Sequence, residues 1–146
     1  MNRYDAKPQS ESQKVFGMRE PSPEVNLLAE QVVDASFEVH KTLGAGFLES
    51  TYEKALSIEL NIRNIPHEVQ KPVCLSYKGN PVGEARLDLL VSGLLVVELK
   101  AVDSIHPIHQ AQVINYLKAT GCELGLLINF NVTLLKDGLK RIVLTY

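Results

Sequence analysis

The stretch Arg86-Leu87-Asp88-Leu89-Leu90-Val91-Ser92-Gly93-Leu94-Leu95-Val96-Val97-Glu98-Leu99-Lys100 decides how this chain is read. Two apolar runs meet at Ser92-Gly93, a turn signal, so residues 82–91 and 94–102 are expected to form an antiparallel hairpin. The second run is almost entirely Leu and Val, the composition of a strand covered on both faces, which places it near the centre of a sheet. Asp88, Glu98 and Lys100 break the pattern. Charge in such strands is costly to bury unless a metal, a partner or a substrate compensates it. An aspartate on one strand with Glu-x-Lys on the next is the minimal set for holding a divalent cation beside a phosphodiester.

Side chains alternate along a strand, so Glu98 and Lys100 share one face while Leu95, Val97 and Leu99 enter a core on the other. Register then becomes a test. A two-residue Ser92-Gly93 turn sets Asp88 opposite Val97 and leaves Asp88 and Glu98 on opposite faces. The metal site requires a three-residue loop or a bulge. The competing reading is a plain Glu-Lys pair on an exposed strand face, which a lone Glu-x-Lys tripeptide usually is.

Outward from the hairpin, Ser22 is the expected N-cap and Pro23 the first residue of a helix whose Leu28, Val32, Ala35, Val39 and Leu43 recur at helical spacing until Gly44. A second helix is expected over residues 47–63, ending before Pro66. Residues 71–77 read as a strand followed by a Lys78-Gly79-Asn80 turn. Pro107–Thr120 reads as a helix closed by Gly121, and 124–130 and 139–144 as two further strands. The order helix, helix, three strands, helix, two strands predicts an α/β (α+β) fold, a mixed sheet flanked by helices. Residues 1–21 read as a disordered or loosely docked tail, and residues 22–146 as one domain.

Further candidates lie on the helices. Glu49 shares a helical face with Tyr52, Glu53 and Leu56, and a carboxylate in a first turn is also favoured by the helix dipole alone, at N3 if Gly46 is the cap. Gln112 and Tyr116 are four apart on one helix face; with His109 they make a polar stripe opposite Ala111, Ile114 and Leu117. His106 and His109 read as loop and helix-start residues, since no third ligand stands near them. His40 reads as a dipole partner or a packed histidine.

Composition bounds the rest. With 146 residues, 45% hydrophobic and 22% charged, the chain suits one soluble domain, expected in the cytoplasm. No run approaches the roughly 18 apolar residues that span a bilayer, so no membrane role is expected. Cys74 and Cys122 are expected as reduced, partly buried thiols. The net charge of -2 gives no overall basic footprint for nucleic acid. Lys71, Lys78, Lys118, Lys136, Lys140 and Arg141 are left as candidates for a local basic rim.

Taken together, the blocks resemble a known family. Gly46-Phe47-Leu48-Glu49-Ser50-Thr51-Tyr52 matches the signature of the GxxExxY proteins, and Val39-His40-Lys41-Thr42-Leu43-Gly44, Leu87-Asp88-Leu89-Leu90-Val91, Val97-Glu98-Leu99-Lys100-Ala101, Gln112-Val113-Ile114-Asn115-Tyr116-Leu117 and Gly125-Leu126-Leu127-Ile128-Asn129-Phe130 follow in that family's order. That family is similar to the PD-(D/E)XK nuclease superfamily, with its restriction-endonuclease-like core. The resemblance implies a hydrolase: a nuclease dependent on Mg2+ or Mn2+ that cuts phosphodiester bonds of DNA rather than RNA, in repair or defence. It implies Glu49, Asp88 and Glu98 as metal ligands, with Lys100, Gln112 and Tyr116 completing the catalytic set. Leu87 stands where the superfamily's name has proline. Because this fold also serves members that only bind or scaffold, a non-catalytic binding or assembly module is the alternative. A homodimer is expected, since so small a domain needs a second wall to grip a duplex.

Overall fold

In the computed structural model, which describes residues 13–16 and 19–145, the helix signals act where the sequence places them. Ser22 Oγ accepts a hydrogen bond from the Val25 N–H, Pro23 opens the first turn, and helix α1 spans Pro23–Leu43. Gly44 ends it with φ 71°, a conformation that suits glycine. Helix α2 spans Glu49–Ile62, two residues shorter at its start than the sequence suggests. Leu48 is the extended N-cap, so Glu49 is the first helical residue and not N3.

Six strands form one mixed sheet in the order β1-β6-β5-β4-β3-β2. Strands β2 (His67–Tyr77) and β3 (Asn80–Val91) make a long antiparallel hairpin across Lys78 and Gly79, both at positive φ, as a tight two-residue turn requires. Strand β4 (Leu95–Lys100) pairs antiparallel with β3 and parallel with β5 (Leu124–Asn129), the crossover being helix α3 (Pro107–Thr120). Strand β6 (Leu139–Leu144) runs antiparallel to β5 after a 3-10 turn at Leu135–Gly138. From residue 22 onward the order is α-α-β-β-β-α-β-β, and apolar β4 is an inner strand, as its composition demands. Strand β1 (Gln13–Phe16), parallel to β6, lies inside the stretch read as a tail; the rest of that stretch up to residue 12, with residues 17 and 18, falls outside the described residues.

Each sheet face has its own core. Helices α1 and α2 cover Leu89, Val91, Leu95, Val97 and Leu99, with Tyr52 and Phe130 among the largest buried side chains. Helix α3 covers the opposite face, where Val113 and Leu117 pack on Leu90, Val96 and Leu127. Cys122 is half-buried, but Cys74 is exposed, because β2 and β3 extend well past the end of β4. No helix among the described residues is long and apolar enough to cross a membrane.

Candidate active site

The register between β3 and β4 pairs Leu89 with Val97, Leu90 with Val96 and Val91 with Leu95. The loop therefore has three residues, Ser92, Gly93 and Leu94, with Ser92 and Gly93 at φ 51° and 69°. This is the register that brings Asp88 and Glu98 to one face. The main-chain ladder stops there and the two strands part. Carboxylates continue it: the Asp88 N–H donates to Glu98 Oε2 at 2.7 Å, and the Leu99 N–H donates to Asp88 Oδ2 at 2.9 Å. Amide groups that would otherwise lose their partners at the fork are satisfied by the two acids.

The fork has a local cause on the other side of β3. Val69 pairs with Leu89 and Lys71 with Leu87, but between them Gln70 takes φ 53°, and its pairing with Asp88 drops out of the ladder. Side-chain alternation slips at this point. Leu89 packs under α1 and α2, whereas Leu87 packs under α3. Such an interruption lets a strand bend and twist, and it stands at the residue where β3 parts from β4.

Glu98 is 4% exposed, which overturns the reading of an exposed surface pair. Burial, then the neighbouring Asp88, pushes its carboxyl up to about 8, against the pull of the Asp88 amide and Lys100. Asp88 is also raised, chiefly by burial, although the Leu99 amide, Gln70 and Lys100 oppose the shift. Half-buried Glu49 is raised by burial and by Asp88, with Lys100 opposing. Glu53, one turn further along α2, is raised by burial and by Asp88. All four acids thus lean toward their neutral forms, which is the electrostatic signature of a carboxylate cluster short of positive charge.

Gln70 relieves part of that repulsion. Its Nε2 donates to Glu53 Oε2 at 2.7 Å and to Asp88 Oδ1 at 3.3 Å. Neither Gln70 nor Glu53 was among the site residues expected from sequence. Glu53 left a signal, four residues after Glu49 on the same face; Gln70 left none, because a left-handed non-glycine residue has no sequence mark.

Lys100 Nζ donates to Gln112 Oε1 at 3.5 Å. Burial, then the charges of Glu98 and Asp88, raises the Tyr116 phenol, while a Gln112 hydrogen bond opposes the shift. All six residues expected at the site therefore converge. The α3 stripe differs from expectation in one respect: Tyr116 is buried with Val113 and Leu117, and Ala111 lies beside Gln112 on an open groove.

Framework residues hold these groups in place. Tyr52 Oη donates to the Gly44 carbonyl at 2.6 Å and accepts from the Phe47 N–H at 3.2 Å, while its ring stacks on Phe130 at 4.5 Å. The loop that presents Glu49 is thereby tied to the core. Beyond β4, buried Asn129 accepts from the Val102 N–H at 3.1 Å and donates to its carbonyl at 2.9 Å, and the Phe130 N–H donates to the Lys100 carbonyl at 2.9 Å. Gly138 packs against this clamp; a Cβ there would stand 2.1 Å from the Asn129 carbonyl oxygen.

Other expectations resolve as structure. His109 Nδ1 accepts from the His106 N–H at 3.0 Å, closing the start of α3. A His40 ring nitrogen meets the Val132 carbonyl at 2.9 Å, so this histidine is packed. Two members of the expected basic rim are engaged elsewhere: Lys71 pairs with Glu68 at 2.9 Å, and Arg141 is buried against Asn26. Among the described residues no group of three or more His, Cys, Asp or Glu side chains is closed up enough to hold a metal ion by itself. The donor chemistry nevertheless suits a hard cation, all four acids being oxygen donors that lack positive charge. Magnesium commonly takes only one or two carboxylates, completing its octahedron with water and phosphate oxygens.

A mixed sheet helix-covered on both faces, with a buried glutamate, a half-buried aspartate and a lysine where two inner strands part, is a nuclease-like α/β domain. A family model described as the PD-(D/E)XK nuclease superfamily matches residues 26–142, and the chain belongs to that superfamily. No curated protein and no solved structure matches it.

Proposed function

We propose that this chain is a cytoplasmic nuclease of the GxxExxY kind, hydrolysing phosphodiester bonds of DNA with Mg2+ or Mn2+, in repair or defence. The observation that carries the reading is the Asp88–Glu98 exchange of hydrogen bonds at the strand fork, which sets two carboxylates and Lys100 side by side. Asp88 and Glu98 would hold the cation, with Glu49 approaching from α2. When bound, the cation supplies Lewis acidity at a phosphoryl oxygen and activates water. Lys100, on the same face as Glu98, orients the attacking water and offsets negative charge developing on the phosphorus oxygens. Gln112 positions the Lys100 ammonium, and Tyr116 holds α3 against the acids. Gripping a duplex would call for a homodimer.

The test is cleavage of circular and linear DNA with Mg2+ or Mn2+, using EDTA and Lys100→Ala as controls. Cleavage that is abolished by both supports the mechanism; cleavage unchanged in either defeats it. A non-catalytic binding module would give no cleavage of DNA or RNA and no thermal stabilisation by either metal.

A further inference from the structure

Where the β2–β3 hairpin leaves β4, it stands over α3 and leaves a groove of about 890 Å³ that starts at Lys100, Gln112 and Tyr116. One wall is the hairpin, at Leu75, Ser76 and Ala85, and the other is α3 from Ile108 to Ala119. Eleven helical steps make the groove about 16 Å long. Small side chains keep it open, and none of the lining residues is acidic. That is notable in a chain with 17 acidic against 15 basic residues. The cations are Lys100, bonded to Gln112, and exposed Lys118, six helical steps or about 9 Å further along α3. His109 also lines the groove, but partial burial, Lys100 and His106 hold its imidazole below the ordinary range, so it adds little charge.

We infer that this groove takes a single polynucleotide strand and leads it to Lys100. The inference rests on the nuclease reading above and narrows its substrate. A single strand needs positive charge along its backbone, which Lys100 and Lys118 supply, and a surface for its bases, which the rings of His109 and Tyr116 and aliphatic Leu75 and Ile108 line. A duplex carries one charge per about 1.7 Å of axis and needs a broad basic surface, whereas this groove offers two lysines in a line between a hairpin and a helix. A single strand also removes the need for a second copy of the chain.

The experiment is fluorescence anisotropy with the whole chain in EDTA, using a labelled twelve-nucleotide oligothymidylate, an oligouridylate of the same length, and a DNA duplex of that length. Two neutralised phosphates on a single strand give a slope of log affinity against log salt of about -1.4, and Lys118→Ala flattens it to about -0.7. Asn115→Glu, an exposed groove position, weakens strand binding with an unchanged melting temperature. Single-strand binding of either sugar type, tighter than duplex binding and weakened by both variants, supports the groove. Duplex bound as tightly as strand, or strand binding indifferent to both variants, overturns it. Cleavage assayed in parallel separates the two claims. Duplex cutting untouched by Asn115→Glu keeps the nuclease and removes the groove; variant-sensitive strand binding without any cutting keeps the groove and removes the nuclease.

Discussion

Asp88 and Glu98 hold each other's strands: Glu98 Oε2 accepts the Asp88 N–H at 2.7 Å, and Asp88 Oδ2 accepts the N–H of Leu99, next to Glu98, at 2.9 Å. Each acid therefore acts as a structural acceptor at the fork and as a candidate cation ligand. Glu98→Gln separates the two roles, because the amide oxygen still accepts from Asp88 while the negative charge is gone. In EDTA the variant should match the parent near pH 5, where Glu98 is protonated, and should be the more stable of the two at pH 7, where Gln has no proton to retain. It should lose the melting-temperature rise on adding manganese and lose cleavage. Asp88→Ala should lose stability as well, by about 1–3 kcal/mol, since the Leu99 amide is left unpaired. Chemical denaturation with and without manganese reads both.

The raised Glu98 carboxyl gives a pH dependence of defined sign. Its folded value is about 8 against an ordinary 4.5, so between these values the folded state carries a proton that the unfolded chain has released. The stability it contributes is complete below about 4.5 and is lost as pH rises toward 8. In EDTA the protein should weaken over this window by up to about 1.4 kcal/mol per pH unit. A divalent cation that binds the ionised carboxylate should flatten or reverse that slope. Denaturant midpoints at pH 5.5, 7 and 8.5 measure it; a metal-free stability that rises across the series contradicts the assignment.

Tyr52 anchors the loop that ends in Glu49. Tyr52→Phe keeps the stack on Phe130 but leaves the Gly44 carbonyl and the Phe47 amide without their partner. The expected cost is about 1–3 kcal/mol. Cleavage should fall further than stability accounts for, because Glu49 loses its fixed approach to Asp88. Comparing kcat below the melting transition for the two proteins tests this.

Gln70 is the neutral bridge between Glu53 and Asp88, held in a left-handed conformation that asparagine adopts more readily than most residues. Gln70→Asn should keep the backbone but fall short of the two acids, lowering activity with little change in melting. Gln70→Ala should reduce both. Equal activity in Gln70→Asn and the parent would remove Gln70 from the site.

Gly138 lies against the carbonyl of Asn129, whose side chain pins the segment leaving Lys100. Gly138→Ala forces a Cβ to 2.1 Å from that oxygen, so the main chain must move. A destabilisation of about 1–3 kcal/mol or more follows, read by thermal melting.

Much of this was legible in the chain because it depends on local chemistry. Ser22-Pro23 and Gly44 delimit α1, and Pro107 and Gly121 delimit α3, since capping and left-handed stops are properties of a few adjacent residues. The apolar run of β4 announced an inner strand, and Asp88, Glu98 and Lys100 stood out against it. The start of α2 was less legible, because Leu48 caps it through backbone conformation and no side-chain hydrogen bond. Glu53 was visible but had no reason to be chosen until Asp88 stood beside it.

From residue 22 onward the sequence by itself determined the elements, their order and which charged residues sit among apolar ones, because periodicity and capping act over one or two turns; strand β1, whose only pairing is the distant β6, was read as tail. Only the tertiary structure decided whether those charges meet. The three-residue loop at Ser92–Leu94 set Asp88 and Glu98 on one face, and the break in pairing at Gln70, φ 53°, stands where the strands part and the acids meet Lys100 and the acids of α2. Register and strand twist follow from long-range packing, where a slip of one residue moves every side chain to the other face. That is why a strand pair that reads as a hairpin with misplaced charge is, when folded, an acid cluster at the head of a groove.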